Sequence, residues 1–276
     1  MLRLLFFVIA IGLAATADAR PISSRSALVI DEDSGTVIFE KNSDVSVPIA
    51  SLTKLMTAMV VLDSNPDMEA IIQIEPTDVD TLKHSSSRVP VGAALPLKSI
   101  LQLALMSSDN RAAASLARTY PGGNAAFAAA VNAKLEALGM TRTVLEEPTG
   151  LSPNNVSTAS DLIKMAEAAA KYPDIVRITT DRNDSINING RQVRYSNTNR
   201  LVGRKGWEIL LSKTGYTSEA GRCLIMKFQS AGRSIVLVLL NAKANAARRL
   251  DALHILDLVN RNRVALAEYS TGHQAR

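Results

Sequence analysis

The sequence predicts an α+β fold: an antiparallel sheet built from both chain ends, flanked by helices, with a helical lobe in the middle. Three observations carry this prediction. Apolar residues alternate near the start of the chain and again from about residue 185. Between those stretches they recur at helical spacing. No repeat or low-complexity linker separates the two patterns, so the ends are expected to share one sheet, with a cleft between sheet and lobe.

The first elements set up that sheet. Residues 1–19 are expected to be a leader outside the fold. Met1-Leu2-Arg3 is a short basic start, Leu4 to Ala14 is apolar, and Ala17-Asp18-Ala19 is a small-x-small cleavage signature. The apolar run falls short of the roughly 20 residues a membrane span requires. Export to the periplasm and a mature start near Arg20 follow, with no integral membrane anchor. Leu28-Val29-Ile30 and Thr36-Val37-Ile38-Phe39 then read as a hairpin turning at Asp33-Ser34-Gly35.

The middle is helical. Pro48 precedes Leu52, Leu55, Met56, Met59 and Val60, which mark a buried helix. Four prolines (Pro66, Pro76, Pro90, Pro96) break residues 64–97 into loops with a short strand near Ile71–Ile74. Helices are predicted over Leu97–Met106, Arg111–Ala117, Gly123–Leu138 and Thr158–Lys171, the last capped by Thr158 or Ser160 ahead of Asp161. Glu147 to Asn155 has turn chemistry throughout.

Alternation then returns. Ile186–Tyr195 reads as a hairpin turning at Gly190, followed by strands at Trp207–Thr214, Arg222–Gln229 and Ser234–Asn241. An amphipathic helix from Ala246 to about Leu266 ends the pattern. Its Arg248, Arg249, Arg261 and Arg263 are read as a solvated face.

Composition excludes several classes. The chain has 276 residues, with 31 Lys+Arg against 26 Asp+Glu, a net charge of +5. So mild an excess, spread along the chain, gives no sign of a nucleic-acid partner and suits at most weak attraction to an anionic polymer or surface. The single cysteine, Cys223, sits in an apolar run and is read as a packing residue. His84, His254 and His273 form no zinc-binding pattern, and no Gly-x-Ser-x-Gly elbow is present, so no metal site is expected.

The chemistry is carried by short motifs. Ser51 and Lys54 lie three residues apart at the start of the buried helix, so hydroxyl and amine share one face. The helix N-terminus favours negative charge, and a neutral amine can take the hydroxyl proton. An isolated Ser-x-x-Lys is commonly a capping serine followed by a surface lysine, so its meaning rests on downstream partners. Lys213-Thr214-Gly215 is the one such tripeptide in the chain and ends a predicted strand. Its lysine and threonine can hold a carboxylate, and its glycine admits close approach. Ser-x-Asn occurs three times, at Ser108, Ser152 and Ser185. Ser108-Asp109-Asn110 is preferred because it falls in a break between two helices, where side chains can enter a cleft.

Ser-x-x-Lys, Ser-x-Asn and Lys-Thr-Gly, in that order, resemble the penicillin-binding proteins and class A β-lactamases. Ala50–Asp63, Leu103–Tyr120, Glu147–Leu151 and Lys213–Met226 look like the D-alanyl-D-alanine endopeptidases, small penicillin-binding proteins, and the similarity spans the mature chain. The resemblance implies a serine β-lactamase/DD-peptidase-like fold and a single catalytic domain over residues 20–276. It implies cross-linked peptidoglycan peptides as substrate, β-lactam antibiotics as covalent inhibitors, and no cofactor. It leaves any protein partners in the wall machinery unnamed.

By the same resemblance, Ser51 would be the acylated nucleophile and Lys54 its base, with a pKa lowered by burial and by Lys213. Ser108 would relay a proton to the leaving amine and Asn110 would hold the substrate amide. Lys213 and Thr214 would grip the carboxylate. Gly215 would lie beside the substrate, and the N–H groups of Ser51 and Tyr216 would form the oxyanion hole.

Two departures bear on the choice within that group. Class A β-lactamases carry Glu-Pro-x-Leu-Asn, whereas this loop reads Glu147-Pro148-Thr149-Gly150-Leu151, so Glu147 is expected to be structural. The chain also leaves no room after its last helix for the extra domain and anchor of larger carboxypeptidases. A D-alanyl-D-alanine carboxypeptidase on the same site is the nearest alternative. A β-lactamase and a non-enzymatic penicillin-binding sensor stand further off.

Overall fold

A computed structural model describes residues 22–273, with side chains through Arg261. The expected leader, and with it the cleavage site near Arg20, lies outside the described residues. In chain order the strands and helices are β1 (Ser26–Asp31), β2 (Val37–Lys41), β3 (Val47–Pro48), α1 (Thr53–Asp63), β4 (Ile71–Gln73), β5 (Ala94–Pro96), α2 (Leu97–Met106), α3 (Asn110–Arg118) and α4 (Gly123–Ala137). There follow β6 (Val156–Ser157), α5 (Ala159–Ala169), α6 (Pro173–Thr180), β7 (Asn183–Ile188), β8 (Arg191–Ser196), β9 (Glu208–Thr217), β10 (Gly221–Ser230), β11 (Arg233–Ala242) and α7 (Asn245–His273). A single 3-10 turn, Ala50–Leu52, leads into α1.

The main sheet is antiparallel, in the order β2-β1-β11-β10-β9. β1 pairs with β11 from Ser26–Leu240 to Asp31–Ile235, which joins the two chain ends as the alternation predicts. The sheet is buried on both faces, and the pleat divides its side chains between them. On β11, Ile235, Leu237 and Leu239 face one apolar cluster with Ala252, Ile255 and Val259 of α7. Val236, Val238 and Leu240 face a second cluster with the helices of the lobe. Asp251 of α7 ties down the start of β1 by accepting from the N–H and hydroxyl groups of Ser23 and Ser24.

α1 runs through the lobe almost wholly buried, from Thr53 to Val61. α5 is capped by Thr158, whose hydroxyl accepts from Asp161 N–H at 3.1 Å. The hairpin β7–β8 forms but stands apart as its own two-stranded sheet. β4 falls on the short strand expected near Ile71–Ile74, whereas its partner β5, the short pair β3–β6 and α6 are absent from the sequence reading. Each is too short to show a period: α6 has eight residues and begins at Pro173, whose fixed φ suits a first turn.

Candidate active site

The cleft lies between the lobe and edge strand β9. Lobe residues Ser51, Ser108 and Asn110 line it on one side, and Thr214, Gly215, Tyr216, Arg222 and Leu224 of the sheet on the other, around ≈ 660 Å³ of space. All the predicted site residues except the two lysines appear in that lining. The lysines are more than 98% buried and act on the cleft from beneath, through Ser51 and Ser108.

Ser51 stands in the 3-10 turn, where N–H groups precede the first intrahelical acceptors. Ala50 before it has φ +48°, a left-handed value that costs an alanine conformational energy. Two glycines allow the turn to be approached. A Cβ on Gly150, itself at φ +83°, would sit 2.0 Å from Ala50 O and 2.8 Å from Ser51 N. A Cβ on Gly215 would sit 2.8 Å from Ile49 O and 3.1 Å from Ser51 N. The turn is thus held between the Glu147 loop and β9 by backbone contacts that no larger residue permits.

Lys54 Nζ lies 3.0 Å from Ser51 Oγ, 2.7 Å from Asn110 Oδ1 and 2.6 Å from the Thr149 carbonyl oxygen. The last two are pure acceptors. A neutral amine donates one N–H to each and turns its lone pair toward the Ser51 hydroxyl. Burial pushes the Lys54 pKa down to about 8, against the upward pull of Glu147, Asp109 and Asp80. At pH 7 this leaves about a tenth of the amine neutral, against far less than a hundredth for an ordinary lysine.

Lys213 Nζ donates to Ser108 Oγ at 2.9 Å and to Thr214 O at 3.0 Å. Its pKa is held well below the usual lysine range by burial first, then by the positive charge of Lys54 and of Arg248. The repulsion between the two amines is mutual and disfavours both being protonated at once. Ser108 itself adopts φ +61° in the break between α2 and α3, which explains how a serine leaves a helical run to face a lysine across the cleft.

Asn110 is committed at both ends, with Nδ2 donating to Ser85 Oγ at 2.7 Å. Thr214 Oγ1 donates to Thr198 Oγ1 at 2.7 Å. Tyr216 is half exposed, with the Arg222 guanidinium 3.3 Å from its ring centroid. The Glu147 carboxylate accepts from Thr149 N–H and Oγ1, Gly150 N–H and Ser152 N–H, and so holds its own loop together, as the departure from the β-lactamase pattern suggests.

Of the other Ser-x-Asn candidates, Ser152 bonds Glu146 in that loop and Ser185 lies on β7. Cys223 is buried, its thiol pushed up to about 11 by desolvation, which suits packing.

Arg248 corrects the sequence reading. It is largely buried rather than on a solvated face, lines the cleft, and donates to Cys223 O at 3.0 Å. α7 carries its apolar face onto the sheet, and this turns its first residues over the cleft mouth. Spacing on the helix alone does not show that overhang. Thr149, Gly150, Ser85 and Thr198 were also missed, two of them because they act through backbone atoms.

Comparison with known proteins identifies the family. A family model described as D-alanyl-D-alanine carboxypeptidase matches residues 13–244. The chain belongs to that family of serine peptidases. It is 42% identical over 262 residues to a D-alanyl-D-alanine endopeptidase of Pseudomonas aeruginosa, covering 91% of this chain and 84% of the relative. An Escherichia coli endopeptidase is 41% identical over 253 residues, covering 91% and 82%. Among solved structures, the DD-transpeptidase of Streptomyces K15 superposes with a TM-score of 0.80 at 26% identity, covering 86% of this chain and 97% of that one.

Proposed function

We propose that this protein is a serine DD-endopeptidase that hydrolyses D-alanyl cross-links in peptidoglycan through an acyl-enzyme on Ser51. The observation that carries the reading is the buried Lys54 amine, with two acceptors for its protons and its third contact on the Ser51 hydroxyl. Similarity to two endopeptidases at 41–42% identity supports the choice of bond.

In this mechanism Ser51 Oγ bonds the D-alanyl carbonyl carbon as its proton passes to the Lys54 lone pair. The carbonyl electron pair moves to oxygen, which the N–H groups of Ser51 and Tyr216 receive. Collapse of the tetrahedral intermediate breaks the C–N bond, and the proton held by Lys54 reaches the leaving amine with Ser108 as relay. Water then attacks the acyl-enzyme under the same base, releasing the acid and restoring Ser51. Asn110 orients Lys54 through Oδ1, and its Nδ2 reaches a substrate amide on leaving Ser85.

Lys213, Thr214 and Arg248 supply positive charge and a hydroxyl for a carboxylate beside the scissile bond. An arriving carboxylate gives Lys213 the counter-charge it lacks, so binding draws a proton onto that amine. β-Lactams acylate the same serine. Because Glu147 is spent on its own loop, the penicilloyl-enzyme persists for minutes, which intact-mass spectrometry after drug removal would read. Export through residues 1–19 brings the enzyme to the periplasm, and N-terminal sequencing of periplasmic protein should begin near Arg20.

The deciding experiment compares a purified cross-linked muropeptide dimer with a pentapeptide monomer at equal concentration. The dimer should be split faster than the pentapeptide loses its terminal D-alanine. A pentapeptide trimmed while the dimer stays whole makes the enzyme a carboxypeptidase.

A further inference from the structure

Beyond the catalytic cleft the same groove continues into a second cavity of ≈ 780 Å³, lined by Arg182, Arg194, Arg200, Arg204 and Arg249 with no carboxylate among its lining residues. The two spaces share Ser196, Asn197, Asn199, Arg200 and Arg249. Among the described residues, none of the five arginines is in an ion pair. Asp184, on the same hairpin, accepts from Gln102 instead.

Five guanidiniums around one cavity repel each other, and nothing in the sheet or lobe requires them there. Their supports are fixed nonetheless. The stem of Arg182 lies over Gly203, whose added Cβ would meet it at 3.4–3.8 Å. Arg194 donates to Asn183 Oδ1 at 2.9 Å. Between cavity and cleft, Asn197 donates to Thr179 O and Asp181 O, and Asn199, buried, donates to Ser212 Oγ. Thr198, between them, receives the Thr214 hydroxyl. One short segment thus ties the arginine cavity to the Lys-Thr-Gly strand.

We propose that this cavity is an anionic subsite that binds carboxylates of the peptide chain flanking the scissile bond, selecting acidic cross-linked peptides over neutral ones. The inference rests on the cleft being the substrate site, as proposed above. Its continuity with that cleft favours a substrate group over an anionic lipid surface. The contacts are solvent-exposed, so each contributes modestly and weakens with salt.

The test uses equilibrium binding, so that it is independent of turnover. In a Ser51→Ala background, affinity is measured by calorimetry for a cross-linked muropeptide with free carboxylates and for the same peptide with those carboxylates amidated. The free form should bind more tightly. Arg182→Gln with Arg204→Gln should weaken it about tenfold, from two exposed charge contacts, and leave the amidated form unaffected. Arg182→Lys with Arg204→Lys should retain most of the affinity.

Equal affinity for free and amidated peptide, or equal loss on both, overturns the proposal. So does a glutamine pair that loses only its association with phosphatidylglycerol vesicles, which would assign the cluster to a lipid surface. Dimer cleavage by the unaltered enzyme is scored separately: its absence counts against the endopeptidase reading and leaves the binding comparison standing.

Discussion

The two sides of the main sheet are assembled by different means. Beneath α7, Ala252, Ile255 and Val259 recur at helical spacing and meet alternate residues of β1, β10 and β11. Most contacts there follow from a period, although the ladders are interrupted by bulges at Val29/Ile30, Arg222/Leu224 and Lys227/Phe228. Around Ser51 the elements meet at their interruptions: a left-handed alanine before that serine, a left-handed serine between α2 and α3, and two glycines pressed against one turn. Two lysines are buried there without a carboxylate bonded to either. The first region stores stability. The second uses it to hold amines and backbone in states they would not adopt alone.

That contrast can be broken by mutation, and the expected effects on acylation by penicillin fall in order. Ser51→Ala should abolish labelling and peptide cleavage together while the melting temperature stays close to that of the parent. Labelling that survives in gel fluorography with a fluorescent penicillin would remove Ser51 as nucleophile. Ser185→Ala, on a strand outside the cleft, should keep both activities.

Lys54→Ala comes next, with at least about a hundredfold slower acylation, in line with the loss of a general base. Stopped-flow acylation rates would measure it, and a loss below about fivefold would place the base elsewhere. Gly150→Ala is expected to be milder but to act on both properties. Its Cβ must displace Ala50 O, so the turn shifts, acylation slows by about tenfold, and the melting temperature falls.

The smallest effect on rate comes from the other region. Ile255→Ala should cost about 2–5 kcal/mol of stability by opening a cavity in the α7 layer. Acylation of the protein that remains folded should change less than twofold. A rate loss as large as that of Gly150→Ala would show that the two faces are mechanically coupled.

The same contrast decides what was legible in the sequence. The β1–β2 hairpin, α2 from Leu97 to Met106, and the three long strands near the C-terminus all follow from residue period and turn chemistry. The cleft was legible only where chemistry sits on side chains: Ser51, Lys54, Ser108, Asn110, Lys213 and Thr214 all converge. Thr149 contributes a carbonyl oxygen, and Gly150 contributes the absence of a side chain, so neither residue type announces its part. Arg248 was misread because its helix packs on the sheet through Ala252, Ile255 and Val259 and reaches the cleft only at its first turn. Ser85 and Thr198 meet their partners across 25 and 16 residues of chain, contacts that only the folded loops create.

The central claim is that the neutral form of Lys54, made accessible near neutral pH by burial, activates Ser51, and the pH dependence of acylation tests it most directly. The second-order rate constant for acylation reports the ionisation of the free enzyme. Below the Lys54 pKa the amine is protonated and has no lone pair to take the hydroxyl proton, so the rate falls. Above it the amine is free. With burial holding that pKa at about 8, the rate should rise about tenfold per pH unit from pH 6 and level off above about 8. A profile that is flat from pH 6 to 9, or one that keeps rising toward pH 10, would contradict the account.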